Sequence, residues 1–179
     1  LDITAIQVSN LLENLLQWSM TQTGQIRYNP NEINLYSIVY DTISLLKTSA
    51  DTKSISIEID IDKETTIIAD KTMIDTIIRN LISNSIKFSK AGDKIFIKSK
   101  TLDNKVEISI IDQGIGMNEE QLASLFDNSK KQIKRGTNDE KGSGLGLMVC
   151  EEFLKIHNSN LEVESSINKG TTFTFTLQK

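Results

Sequence analysis

The chain has 179 residues, the size of one domain, with 38% hydrophobic and 25% charged residues, enough apolar content for a core beneath a soluble surface. Its formal charge of −4 and pI near 5.1 argue against nucleic acid as a direct partner, since gripping phosphate backbones needs a basic footprint. No apolar run nears the roughly 20 residues of a membrane helix, and one cysteine (Cys150) with one histidine (His157) makes neither an internal disulfide nor a zinc site of the usual kind.

Residues 1–22 carry apolar positions at helical spacing (Ile6, Leu11, Leu12, Leu15, Leu16, Trp18), with Gly24 as a plausible end. The pattern starts mid-helix without an initiator Met, and the expectation is a fragment of a longer protein. Tyr28, Asn29, Pro30 and Asn31 give a turn signal, which sets a boundary: residues 1–27 as helix and linker, 28–179 as the main domain. A helix is expected over 35–50. A strand follows from the alternation of Ile55, Ile57, Ile59 and Ile61. Ile67, Ile68 and Ala69 make a short strand, and Asp70 is a fair N-cap for a helix to Phe88. Strands over 94–101 and 105–112 turn at Asp103-Asn104. A short helix covers 118–126, and a glycine- and lysine-bearing loop then leads to a helix ending at Ile156. Strands over 160–166 and 171–177 close the chain. This order predicts an α+β fold, a two-layer α/β sandwich with a mixed, mainly antiparallel sheet and helices on one face. Lys98, Lys100, Glu162 and Glu164 would mark the other, solvated face.

Six of the nine glycines lie between Gly114 and Gly146. One cluster, Asp112-Gln113-Gly114-Ile115-Gly116, follows a strand. The other, Gly142-Ser143-Gly144-Leu145-Gly146-Leu147, opens a helix. Such spacing lets backbone N–H groups approach a ligand, and a helix N-terminus favours phosphate. Each cluster alone could be a pair of tight turns; both together point to a nucleotide. P-loop, dinucleotide and eukaryotic-type kinase signatures are absent. On the helix before Phe88, Asn80, Asn84 and Lys87 fall within an arc of about 60° beside the apolar face. An Asn oxygen can complete a magnesium shell, and Lys87 can meet a phosphate as a point charge. Taken alone, the same stripe reads equally well as a solvated face.

Asn80-Leu81-Ile82-Ser83-Asn84-Ser85-Ile86-Lys87-Phe88 resembles the asparagine box of sensor histidine kinases. The cluster from Asp112 to Gly116 resembles their first glycine box, Leu125-Phe126 part of their phenylalanine box, and residues 142–147 their second glycine box. Order and spacing agree over residues 30–177. The resemblance implies the Bergerat ATP-binding fold, with ATP and Mg²⁺ as ligands. It assigns Mg²⁺ to Asn84, with Asn80 and Lys87 helping at the phosphates, and the adenine amino group to Asp112. Gly114 and Gly116 would pass near the base, Gly142, Gly144, Leu145 and Gly146 would hold the triphosphate, and Thr171 would lie near adenine. The lid departs from the family's pattern, since Asp127-Asn128-Ser129 after Phe126 lacks the proline and second aromatic often found there. The basic stretch Lys130-Lys131-Gln132-Ile133-Lys134-Arg135 reads as a solvated loop, and Arg135 or Lys141 could fold onto the γ-phosphate.

Related ATPases (the gyrase B subunit, the heat-shock chaperone, mismatch-repair proteins) place a glutamate, the base for water, where this chain has Asn80. An amide takes no proton near neutral pH, so transfer to an external nucleophile fits better than hydrolysis. In the family that nucleophile is a histidine on a dimerisation hairpin. Residues 1–22 resemble the tail of its second helix, completing a four-helix homodimer bundle, and His157 is a poor substitute. The implied partners are that phosphoacceptor domain and a response-regulator receiver domain. The domain would be cytoplasmic, its parent in some family members anchored in the inner membrane. An anti-sigma type serine kinase or a nucleotide-free scaffold are the competing classes.

Overall fold

The computed structural model describes residues 27–126, 135–138, 140 and 144–179; the expected first helix, most of the lid, Lys141 and Gly142 lie outside them. Within the described residues the elements run β1 (Asn31–Asn34), α1 (Leu35–Thr52), β2 (Ser56–Asp60), β3 (Thr66–Ala69), α2 (Lys71–Phe88), β4 (Lys94–Leu102), β5 (Lys105–Asp112), α3 (Glu119–Ala123), α4 (Gly146–Ile156), β6 (Glu162–Ser166) and β7 (Gly170–Gln178).

The strands form one sheet in the order β1-β3-β7-β5-β4-β2, with β6 also paired to β7. Every pairing is antiparallel except β2 with β4. That single parallel pair follows from chain order, because β2 reaches β4 by way of β3 and α2 rather than by a hairpin. β1 lies where the sequence suggested only a turn: Asn31–Asn34 has little strand propensity, and it is extended because it pairs in register with Thr66–Ala69.

Alternation sets the layers. Ile95, Ile97, Val106, Ile108, Ile110, Phe173, Phe175 and Leu177 point to one face and are buried. The opposite face carries Lys98, Lys100, Glu162 and Glu164, all exposed, and a Ser109–Thr174 hydroxyl contact of 3.2 Å. α2 covers the centre of the buried face, flanked by α1 and α4 and packed on β5. Its Ile74, Ile77, Ile78, Leu81 and Ile82 are fully buried, the i, i+3, i+4 spacing of a helix with one apolar side. Asp70 starts the helix as expected, its carboxylate accepting from the Thr72 and Met73 N–H groups.

His157 caps the end of α4. Its Nδ1 donates to Phe153 O at 2.7 Å, while Nε2 accepts the Asp70 backbone N–H at 3.1 Å. Both ring nitrogens are committed to the joint between α4 and the start of α2. Neither is available to accept a phosphoryl group without opening that joint.

Candidate functional site

The C-terminal half of α2 is the spine of the site, because the helix brings Asn80, Asn84, Ser85 and Lys87 past the end of β5. Ser85, fully buried, donates to Asp112 Oδ2 at 3.2 Å. Asp112 is only 4% exposed, and its Oδ1 accepts from the Gly114 N–H at 2.9 Å and the Thr171 N–H at 3.1 Å. The turn of α2 that carries Asn84 is therefore tied to Asp112 through the neighbouring Ser85. Thr171 contributes its backbone N–H to Asp112, while its hydroxyl contacts Ser165 Oγ at 3.0 Å.

Close backbone contacts hold the glycine turns against this spine. A Cβ on Gly114 would strike Phe88 O, the carbonyl that also accepts from the Ile115 N–H at 3.1 Å. Gly116, at φ +63°, lies against Ser166 O, and Gly170, at φ +91°, against Asp112 O. Packing of chain on chain thus demands glycine here before any ligand is considered. In the second glycine box, Gly144 has φ +70° and Gly146 is the first residue of α4. A Cβ on Gly146 would sit 3.0 Å from Asn80 Oδ1. The N-cap residue is Leu145, whose side chain makes no capping hydrogen bond. Asn80 and the start of α4 are in contact, and both glycine boxes meet the same helix.

Electrostatics follow burial. Burial pushes the Asp112 carboxyl above the usual range, although hydrogen bonds from Gly114, Thr171 and Ser85 oppose it. A carboxyl whose folded pKa is raised contributes stability below its unfolded pKa of about 3.9, and that contribution is lost as pH rises through the folded value. Urea midpoints of the wild type, referenced to the non-titrating Asp112→Asn variant, are accordingly expected to fall as pH is raised from about 4. A flat difference would contradict the shift. Lys87 is half-buried, and desolvation lowers its pKa, with Glu140 opposing and Lys53 reinforcing; its ammonium lies 4.9 Å from the Phe88 ring centre. The Asn80 amide nitrogen is buried without a hydrogen-bond partner of normal geometry. Its neighbour Cys150 is a thiol that burial pushes up to about 12, at most a weak acceptor.

Arg135 is exposed and precedes Gly136, whose backbone lies against the Lys87 side chain. Gly136 and Thr137 thus reach Lys87 at the end of α2. The sequence reading missed Lys53, Thr137 and Glu140, which make this contact, and also the link from Ser85 to Asp112.

Residues 69–179 match the family described as histidine kinase-, DNA gyrase B-, and HSP90-like ATPase. The chain belongs to this family. As a member of this ATPase family, the domain has ATP as its nucleotide. It is 28% identical over 175 residues to the sensor-like histidine kinase SenX3 of Mycobacterium tuberculosis, covering 98% of this chain and 43% of SenX3. The chain therefore spans less than half the length of that curated relative. The catalytic domain of histidine kinase ThkA superposes with a TM-score of 0.73 at 25% identity, over 84% of this chain and 96% of that one. ThkA in complex with the response regulator protein TrrA superposes at 0.75 with 22% identity, over 98% and 48%. The likeness to the catalytic domain of sensor histidine kinases thus holds in sequence and in fold. No helix among the described residues of this ATPase domain is long and apolar enough to cross a membrane.

Proposed function

We propose that this chain is the catalytic part of a sensor histidine kinase, binding ATP with Mg²⁺ and passing the γ-phosphoryl group to a histidine on the dimerisation domain of the same protein. The carrying observation is the Ser85–Asp112 hydrogen bond, which ties the asparagine-bearing helix to the first glycine box while Gly146 of the second box packs on Asn80. Two sequence-distant segments thereby meet one helix, which supports a nucleotide with its base at one box and its phosphates at the other.

Each residue has a role its chemistry suits. Asp112, held by three donors, presents an acceptor to the amino group of adenine, and an ionised carboxylate repels the carbonyl that guanine would offer. Gly114 and Gly116 carry the chain past the base, with Thr171 holding Asp112 in place. Asn84 offers a hard amide oxygen to the cation, whose other ligands would be phosphate oxygens and water. Bound Mg²⁺ would supply charge compensation at the phosphates. Asn80, which stands against Gly146 at the start of α4, would help at the phosphates. Lys87 and Arg135 add positive charge at the γ-phosphate end, while Gly142, Gly144, Leu145 and Gly146 bring phosphate to the start of α4. No carboxylate stands at position 80 to activate water, so the attacking group comes from outside the domain.

On this reading residues 1–27 are the tail of the second dimerisation helix with its linker, and 28–179 the catalytic domain. The parent protein would be a homodimer whose phosphohistidine supplies a response regulator, the kind of partner bound in the ThkA complex. Its catalytic domain would lie in the cytoplasm, whether or not the parent is anchored in a membrane.

Asp112→Asn tests the base end. The amide keeps one oxygen for the Gly114 and Thr171 N–H groups but loses the charge, so affinity for an ATP analogue is expected to fall about 10- to 100-fold, as for a charged hydrogen bond of roughly 1.5–3 kcal/mol. Preference for adenine over guanine should shrink in parallel. Calorimetry giving wild-type affinity and preference would remove the assignment.

A further inference from the structure

Lys53, the residue that ends α1, is only 6% exposed, a placement that needs a reason because a buried ammonium must be paired and hydrogen-bonded. Its Nζ donates to Ile86 O and Lys87 O, both at 2.9 Å, and to Thr137 Oγ1 at 2.7 Å. It also pairs with Glu140 Oε1 at 2.8 Å. The two carbonyls belong to the last turn of α2, where C=O groups lack helical partners and the helix dipole favours a cation. Lys53 therefore caps α2 from outside the helix.

The same ammonium holds a short arm made of residues 136–138 and 140. Thr137 donates its N–H to Lys87 O at 3.1 Å and its hydroxyl to Ser89 O at 2.6 Å. Glu140 closes the arm on itself, its backbone oxygen accepting from the Gly136 N–H at 2.9 Å and its Oε2 from the Asn138 N–H at 2.8 Å. Burial raises the Glu140 carboxyl, but Lys53 and the backbone donors outweigh it and hold it below the ordinary range. Gly136 lies so flat on Lys87 that a Cβ there would come 2.6 Å from Lys87 Cγ. One buried cation thus joins three parts of the chain: the end of α1, the end of α2, and the arm against the side chain expected at the phosphates.

We propose that Lys53 is a positioning residue for the phosphate end of the nucleotide: by pinning Thr137 and Glu140 across the end of α2, it fixes the direction of Lys87. This rests on the nucleotide reading above. It adds that a residue touching no nucleotide selects for the triphosphate over the bare nucleoside.

Two measurements on the full chain test it. Without nucleotide, Lys53→Met is expected to speed amide hydrogen exchange at Gly136 and Thr137 at least tenfold, while amides of β5 and β7 keep their wild-type rates. With Mg²⁺, its affinity for a non-hydrolysable ATP analogue should fall about tenfold and that for adenosine by less than twofold, a split that a general loss of folding would not give. Thr137→Val should move both readouts the same way and Thr137→Ser should restore them, which decides the matter even if Lys53→Met fails to fold. Unchanged exchange, or equal loss of analogue and adenosine in folded protein, would overturn the proposal. Wild-type protein binding neither ligand would instead sink the nucleotide reading, and the exchange data would still judge the anchor.

Discussion

Asn84→Ala is expected to abolish magnesium-dependent nucleotide binding and to reduce phosphoryl transfer by at least about 100-fold, comparable to losing one preorganised electrostatic partner of a transition state. Asn84 is half-buried on α2, outside the apolar face formed by Ile77, Ile78, Leu81 and Ile82. Alanine is the better helix former, so the variant should melt at or slightly above the wild-type temperature. Lost binding in a fully folded protein is therefore what separates a ligand-holding asparagine from a solvated one. Calorimetry with an ATP analogue, in Mg²⁺ and again in a chelator, gives the comparison. Equal affinity under both conditions in wild type and variant would remove Asn84 as the cation's ligand.

The largest expected effect on stability belongs to Gly170→Ala. At φ +91°, an L side chain is strained, at about 1–2 kcal/mol. The new Cβ would also be driven into the carbonyl of Asp112 and stand 2.9 Å from Gln113 Cα. These are backbone atoms at the end of a central strand and cannot swing aside as a side chain would. Overpacking of this kind costs a further 1–3 kcal/mol or so, a large part of the roughly 5–15 kcal/mol that holds a domain together. A drop in Tm of roughly 5–15 °C is expected by scanning calorimetry. Gly92 supplies the control: its φ is +88°, but a Cβ there meets nothing within 4 Å, so Gly92→Ala should lose only the conformational part. Equal losses at the two positions would mean that the Gly170 contact is not what demands glycine.

Much of the architecture was legible because it rests on local rules. The apolar spacing in α2, the Asp70 cap and the alternation in β4, β5 and β7 each commit a segment before any partner is known. The glycine boxes and the asparagine helix were likewise readable as kinds of residue at fixed spacing. The reading stopped where a residue's reason lies far along the chain. Nothing in Asn31–Asn34 announces a strand until β3 is beside it. Lys53 looks like any charged residue after a helix, yet its hydroxyl partner is 84 positions away. Gly114 and Gly116 were read as letting the backbone approach a ligand, but the obstacles to a side chain there are the carbonyls of Phe88 and Ser166.

The sequence alone determined the helices and strands of the described residues other than β1, and which residue types could serve a magnesium-bound adenine nucleotide, since propensity, capping and hydrophobic period act within a few residues. Only the tertiary structure decided that Ser85 meets Asp112, that Gly146 packs on Asn80, and that a buried Lys53 fastens Thr137 and Glu140 to α2. Those contacts join segments tens of residues apart, and they exist only once sheet order and helix packing have brought the segments together.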